Sequence, residues 1–152
     1  MSSKWKRKGG KKHVQLYEFM MKSAAWEDLT PVERQLYVEL KRVYDGRNNG
    51  RIALSCRDAG DRLQIGKSSA ARAFEKLQSN GFIAVAKQGA FSVKLKVATE
   101  WRLTEYKCDV TGELPTREWQ NWRPEKQNTV PPQAITVPPQ GQLHPELEAK
   151  RA

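Results

Sequence analysis

A chain of 152 residues, 38% of them hydrophobic, can bury one modest core and leaves no room for a second full domain. Its formal net charge of +10 favours a polyanionic partner without specifying a fold. No apolar run approaches the roughly 18 residues of a membrane span, the basic N-terminus "MSSKWKRKGGKK" lacks the apolar segment of a signal peptide, and Cys56, Cys108 and two histidines fit no metal-ligand spacing. A cytoplasmic protein without metal, cofactor, membrane contact or small-molecule ligand is therefore expected.

The charge is unevenly placed. Residues 1–12 carry Lys4, Lys6, Arg7, Lys8, Lys11 and Lys12 with no acid, and with their glycines predict a disordered basic arm. Leu54 to Val97 carries eight cations against three acids. "HVQLYEFMMKSAAWEDL" then predicts a strand or turn leading into a helix near Tyr17 to Lys22, packed on the domain or forming a dimer contact. "TPVE" supplies Thr30 as N-cap, Pro31 at the first helical position and Glu33 to complete a capping box. Val32, Leu36, Leu40, Val43 and Tyr44 follow at helical spacing and predict a buried face. "YDGRNNGR" ends that helix through Gly46, Asn48, Asn49 and Gly50, residues that tolerate positive φ. "RIAL" predicts a short β segment with Ile52 and Leu54 on one side.

Ser55 can cap the next helix, with Asp58 at its third position. Cys56, Ala59, Gly60 and Leu63 form one narrow face of small residues. A mid-helix glycine costs about 1 kcal/mol relative to alanine, so Gly60 predicts a second helix crossing close by. "QIGK" predicts a tight turn with Ile65 buried and Gly66 supplying the turn geometry. A helix over 67–78 follows, with Ala70, Ala73, Phe74 and Leu77 inward and Ser68, Arg72 and Ser79 on the opposite side. Lys67, Ser69 and Ala71 lie near that side's N-terminal end. Glu75 fits a phosphate-lined surface badly, unless it pairs with Arg72 or accepts from a cytosine amino group.

Two short helices with small residues at their crossing and a turn of about four residues make a helix-turn-helix. The stretch "DAGDRLQIGKSSAARAFEKLQSNGFI" resembles the winged helix-turn-helix domains of bacterial and mobile-element (phage and plasmid) regulators and replication proteins. The flanking "LTPVERQLYVELKRVYDGRNNGRIALS" and "FSVKLKVATEWRLTEY" resemble one branch of that superfamily. The resemblance covers roughly Val14 to Trp122. It implies a mainly α fold with a small β-hairpin wing (α+β), in the order helix, β segment, helix, turn, recognition helix, wing. "FIAVAKQGAFSVKLKVATEWRLT" supplies the two wing strands around a loop near Gln88 to Ala90. Val93, Leu95 and Val97 alternate there with Lys94 and Lys96, and Trp101 and Leu103 face the core.

The domain is expected over 13–122, with Thr116 to Trp122 as a last short helix packing Trp119 and Trp122; stacking of these tryptophans on bases is the alternative. Over 123–152, TVPPQ recurs at Thr129 and Thr136 without apolar periodicity, which predicts a disordered Pro/Gln-rich tail, a tether or a partner-binding segment.

No catalytic constellation is present, so no enzyme is expected. Gly66, Lys67 and Ser68 imitate the end of a P-loop, but that pattern requires glycine where Asp61 stands. The resemblance implies double-stranded DNA as partner, with Ser68, Ser69 and Arg72 reading base edges in the major groove. Arg57, Lys67, Lys76, the wing residues Lys87, Lys94 and Lys96, and the arm would hold the backbone. Transcriptional regulation is the leading role. Replication initiation or maintenance of a phage, plasmid or integrated element is the alternative, and a protein-interaction or RNA-binding winged helix is the alternative of another class. A homodimer remains open.

Overall fold

The computed structural model describes residues 10–91 and 96–125, beginning with two single-turn helices, α1 (Glu18–Met21) and α2 (Ala24–Glu27). Ser23 separates them: its hydroxyl donates to the Met20 carbonyl at 2.6 Å and accepts the Trp26 N–H at 3.2 Å. The serine thus closes one helix and caps the next, and the single expected helix becomes a pair. Met20, Ala25 and Trp26 are buried beneath it.

Helix α3 (Pro31–Val43) starts as its capping signal predicts, with the Thr30 N–H donating to the Glu33 carboxylate. Its buried face is rotated from the expected one. Leu36, Tyr37 and Leu40 are fully buried, Val32 is 38% exposed, and Val43 and Tyr44 are half-buried. The rotation follows from polar partners that hydrophobic periodicity ignores. The Tyr37 hydroxyl donates to Glu105 at 2.9 Å, and the buried Lys41 ammonium donates to Glu105 and to the Gln15 carbonyl. Tyr17, Tyr37 and Tyr106 place their rings 5.7, 5.7 and 5.0 Å from that ammonium. Aromatic faces and a carboxylate together replace the water that the charge has lost. Burial, with the adjacent Glu105 carboxylate adding to it, holds the Tyr37 phenol well above its ordinary pKa, so it remains a donor.

Beyond α3, Gly46 and Gly50 take the positive φ expected of them, +94° and +98°, whereas Asn48 and Asn49 do not. Asn48 instead closes the helix end, donating to the Val43 carbonyl at 3.0 Å and accepting the Asp45 N–H at 2.9 Å. Asn49 is buried and bonds to the sheet.

That sheet has three antiparallel strands in the order β1 (Ile52–Ala53), β5 (Glu100–Leu103), β2 (Ile83–Lys87), with Ile52 and Val85 both opposite Trp101 and Ile83 opposite Leu103. A register irregularity falls between Val85 and Lys87. Instead of a loop at Gln88 to Ala90, the chain breaks there and resumes as a second hairpin, β3 (Ala90–Phe91) with β4 (Lys96–Val97). Gly89 allows this break. A Cβ on it would lie 2.7 Å from the Val97 carbonyl oxygen and 2.8 Å from the Thr99 nitrogen. Val97 is exposed, contrary to its place in the alternating pattern, while Val93 and Leu95 lie outside the described residues.

Ile52 and Leu54 are both buried, as expected, and Trp101 and Leu103 face the core. Phe82 meets Trp26 and Tyr37 edge-on and stacks on Trp119 at 6.0 Å. Trp119 belongs to a single 3-10 turn, Glu118–Gln120, shorter than the expected Thr116 to Trp122 helix because Arg117 adopts a left-handed conformation with φ +45°. Trp119 is buried and Trp122 half-buried on the domain. The result is an α+β fold: among the described residues, five α-helices and a small antiparallel sheet enclose one core. None of these helices is long and apolar enough to cross a membrane.

Candidate nucleic-acid interface

The pair α4 (Cys56–Leu63) and α5 (Lys67–Ser79) is joined by Gln64, Ile65 and Gly66. Ser55 caps α4 as expected, accepting the Asp58 N–H at 3.0 Å and donating to the Asp58 carboxylate at 2.7 Å. The turn works differently from the expectation. Gln64, not Gly66, takes the left-handed conformation (φ 56°, ψ 42°), while Gly66 is extended and serves as N-cap of α5. The Ile65 N–H closes the turn on the Gly60 carbonyl at 2.9 Å, and Ile65 is half-buried.

Gly60 is needed for close approach, but of the turn and not of a helix body. A Cβ there would lie 2.9 Å from the Ile65 carbonyl oxygen and 3.7 Å from the Lys67 nitrogen. Ala59, Gly60, Ala70, Ala73, Phe74 and Leu77 are buried as their spacing predicts. Phe74 stacks on Trp101 at 4.5 Å with planes 6° apart, and the Trp101 indole N–H donates to the Leu54 carbonyl at 3.0 Å. The inner face of α5 is thereby fastened to β5. Its far end is fastened to α2: the buried Asn80 side chain donates to the Ala25 carbonyl at 2.9 Å and to Asp28 at 3.0 Å.

With those faces taken, α5 presents Lys67, Ser68, Ser69, Arg72, Glu75 and Ser79 to solvent. No side chain caps its N-terminus and no acid occupies its first turn, so the positive end of the helix dipole lies beside Lys67, Ser68 and Ser69. Among the described residues Arg72, Lys67 and Arg57 make no ion pair, and Glu75 does not pair with Arg72. Lys76 does pair, with Asp28, and this contact is the first cause of an Asp28 pKa below its ordinary value. Its charge is neutralised locally, which sets it apart from the other cations expected to meet a phosphate backbone. Burial raises the Cys56 thiol, with the nearby Lys67 charge opposing, so this cysteine is no activated nucleophile.

Lys87 and Lys96 are exposed on β2 and β4, and Lys11 and Lys12 are exposed ahead of His13. Lys4, Lys6, Arg7, Lys8 and Lys94 lie outside the described residues, as does the TVPPQ repeat. Two cations that sequence reasoning missed are Arg42 on α3 and Arg62 on α4, both of which reach Glu39. The Arg42–Glu39 pair is three residues apart on one helix, but only the packing of α4 on α3 brings Arg62 to the same carboxylate. Among the described residues no group of three or more His, Cys, Asp or Glu is placed to hold a metal ion. Comparison with family models, with curated proteins and with solved structures returns no match to this chain.

Proposed function

We propose that the chain is a winged helix-turn-helix protein that binds double-stranded DNA sequence-specifically, in transcriptional regulation. The observation that carries this reading is α5. It is clamped on one side by Phe74 against Trp101 and at its end by Asn80, and offers on the other short hydroxyls and an arginine that makes no ion pair among the described residues. A helix so held can enter a major groove without rearranging, with Ser68 and Ser69 close to base edges and Arg72 able to make a two-pronged contact to guanine. The exposed Glu75 would accept from a cytosine amino group and repel a phosphate, which makes it a sequence-dependent contact. In this reading the β3–β4 hairpin is the wing, Lys87 and Lys96 meet the backbone, and the protein recognises its target without chemical turnover.

The test is duplex binding as a function of salt. Affinity should fall steeply as salt rises, and Arg72→Ala should cost about 1–3 kcal/mol on the selected site and little on random duplex. Absence of binding to any duplex at low salt would overturn the reading. Sequencing genomic fragments retained by the protein then separates promoters from replication origins.

A further inference from the structure

On the far side of α4 from its capped N-terminus, the chain ahead of α1 runs past the ends of α3 and α4 and leaves a cleft of about 530 Å³ lined by Lys12, His13, Val14, Arg42, Val43 and Arg62. Its lining contains no acidic side chain. A carboxylate holds two of these cations: Glu39, whose side chain is only 5% exposed, accepts from Arg42 at 2.8 and 2.9 Å and lies 3.6 Å from the Arg62 guanidinium.

One carboxylate therefore holds two guanidiniums, contributed by different helices, side by side. A guanidinium has five N–H donors in a planar fork, and a carboxylate shared between two such forks leaves most of them unused. Arg42 and Arg62 remain 61% and 44% exposed, so the unused donors are accessible. With Lys12 the cleft carries a net positive charge, and the forks match the geometry of a tetrahedral oxyanion.

We propose that this cleft is a phosphate-binding site, separate from the outward face of α5. Arg62 and Arg42 grip the phosphate oxygens, Glu39 holds both arginines in position, and Lys12 closes over from the chain ahead of α1. The source of the phosphate is the backbone of a bound duplex, a statement that rests on the DNA-binding reading; occupation by a free phosphate compound does not. In a duplex complex the site fastens the basic arm where it leaves the domain.

The test uses the full chain and two probes, a random duplex of about 25 base pairs and inorganic pyrophosphate. Arg62→Gln leaves Glu39 bonded to Arg42, so the buried carboxylate keeps a partner, and a thermal melt checks its fold. Lys12→Ala alters an exposed side chain with no ion pair among the described residues and provides a variant that folds independently of the Glu39 contact. Each should lower the slope of log affinity against log salt by about 0.9 and weaken random and selected duplexes by the same factor. Arg72→Ala, by contrast, should act on the selected site. Pyrophosphate should shift the Arg42 and Arg62 side-chain N–H resonances in the wild type, and more weakly in Arg62→Gln. If the wild type binds duplex while both variants keep its slope and affinity, and pyrophosphate shifts neither arginine, the site is refuted and DNA binding through α5 stands. If duplex is not bound but pyrophosphate shifts both arginines, the phosphate site is supported and the DNA reading falls.

Discussion

Replacing Asn49 by alanine should destabilise the protein far more than the loss of one surface-type residue. The Asn49 amide is buried and acts as one more peptide group of β1, ahead of the first residue of that strand. Its Oδ1 accepts the Leu103 N–H at 2.7 Å, while Nδ2 donates to the carbonyls of Leu103 at 3.0 Å, Lys107 at 3.0 Å and Tyr106 at 3.2 Å. The Asn49 N–H donates to the Asp109 carboxylate and the Asn49 carbonyl accepts the Asp109 N–H, both at 2.8 Å; neither bond needs the Asn49 side chain, and both would persist. Alanine would leave the Leu103 N–H and at least one carbonyl buried without partners. Each such group costs about 1–3 kcal/mol, so a loss of about 2–6 kcal/mol follows, against a total stability of roughly 5–15 kcal/mol for a domain. Urea denaturation followed by far-UV circular dichroism measures it. With a urea m-value of about 1.5 kcal/mol/M, a 3 kcal/mol loss moves the midpoint by about 2 M at unchanged slope. A loss below about 1 kcal/mol would refute the reasoning, because it would mean that water or apolar contact replaces the amide without penalty.

Two further perturbations probe how α5 is held. Gly60→Ala should lower stability by about 1–3 kcal/mol despite alanine's better helix propensity, since its Cβ would meet the Ile65 carbonyl at 2.9 Å; a gain in the same denaturation assay would show that the turn yields freely. Asp28 has a pKa lowered chiefly by its hydrogen bond from Lys76 and opposed by desolvation. Its contribution is therefore present above the ordinary carboxylate pKa and is lost as pH falls through the lower folded value. Asp28→Asn should then flatten the decline of melting temperature below about pH 4, and a decline as steep as in the wild type would remove Asp28 from the account.

Helix α5 was legible because its signals are local. The expectation over 67–78 and the observed Lys67–Ser79 agree because Ala70, Ala73, Phe74 and Leu77 follow one helical period, and Asn80 and Gly81 end it. Ser55 and Thr30 mark the starts of α4 and α3 through contacts only three residues away. The outward set Ser68, Ser69 and Arg72 followed by subtraction from the inward one. Where reading the sequence went astray, the controlling contact was distant or involved backbone alone. Val32 is exposed despite its place in the helical spacing and Tyr37 is buried outside it, because Tyr37 is drawn inward by Glu105, 68 residues further on. Gly66 was assigned the turn geometry that Gln64 adopts, since residue type ranks glycine first and only the closure of Ile65 on Gly60 decides between them.

The amino-acid sequence by itself determined where α3, α4 and α5 begin and end, which faces of α4 and α5 turn inward, and which charges lie on the outer face of α5. Caps, periodicity and turns are decided within a few residues, where chain connectivity already places the partners together. Tertiary structure alone decided which polar groups are spent and which remain available. Lys76 is neutralised by Asp28 while Arg72 stays unpaired among the described residues, Lys41 is taken into a cage of tyrosines, and Arg42 and Arg62 are brought together over Glu39. The physical reason is that a charge finds its partner through space: whether a lysine or arginine is free for a phosphate depends on which carboxylate the packed helices bring to it.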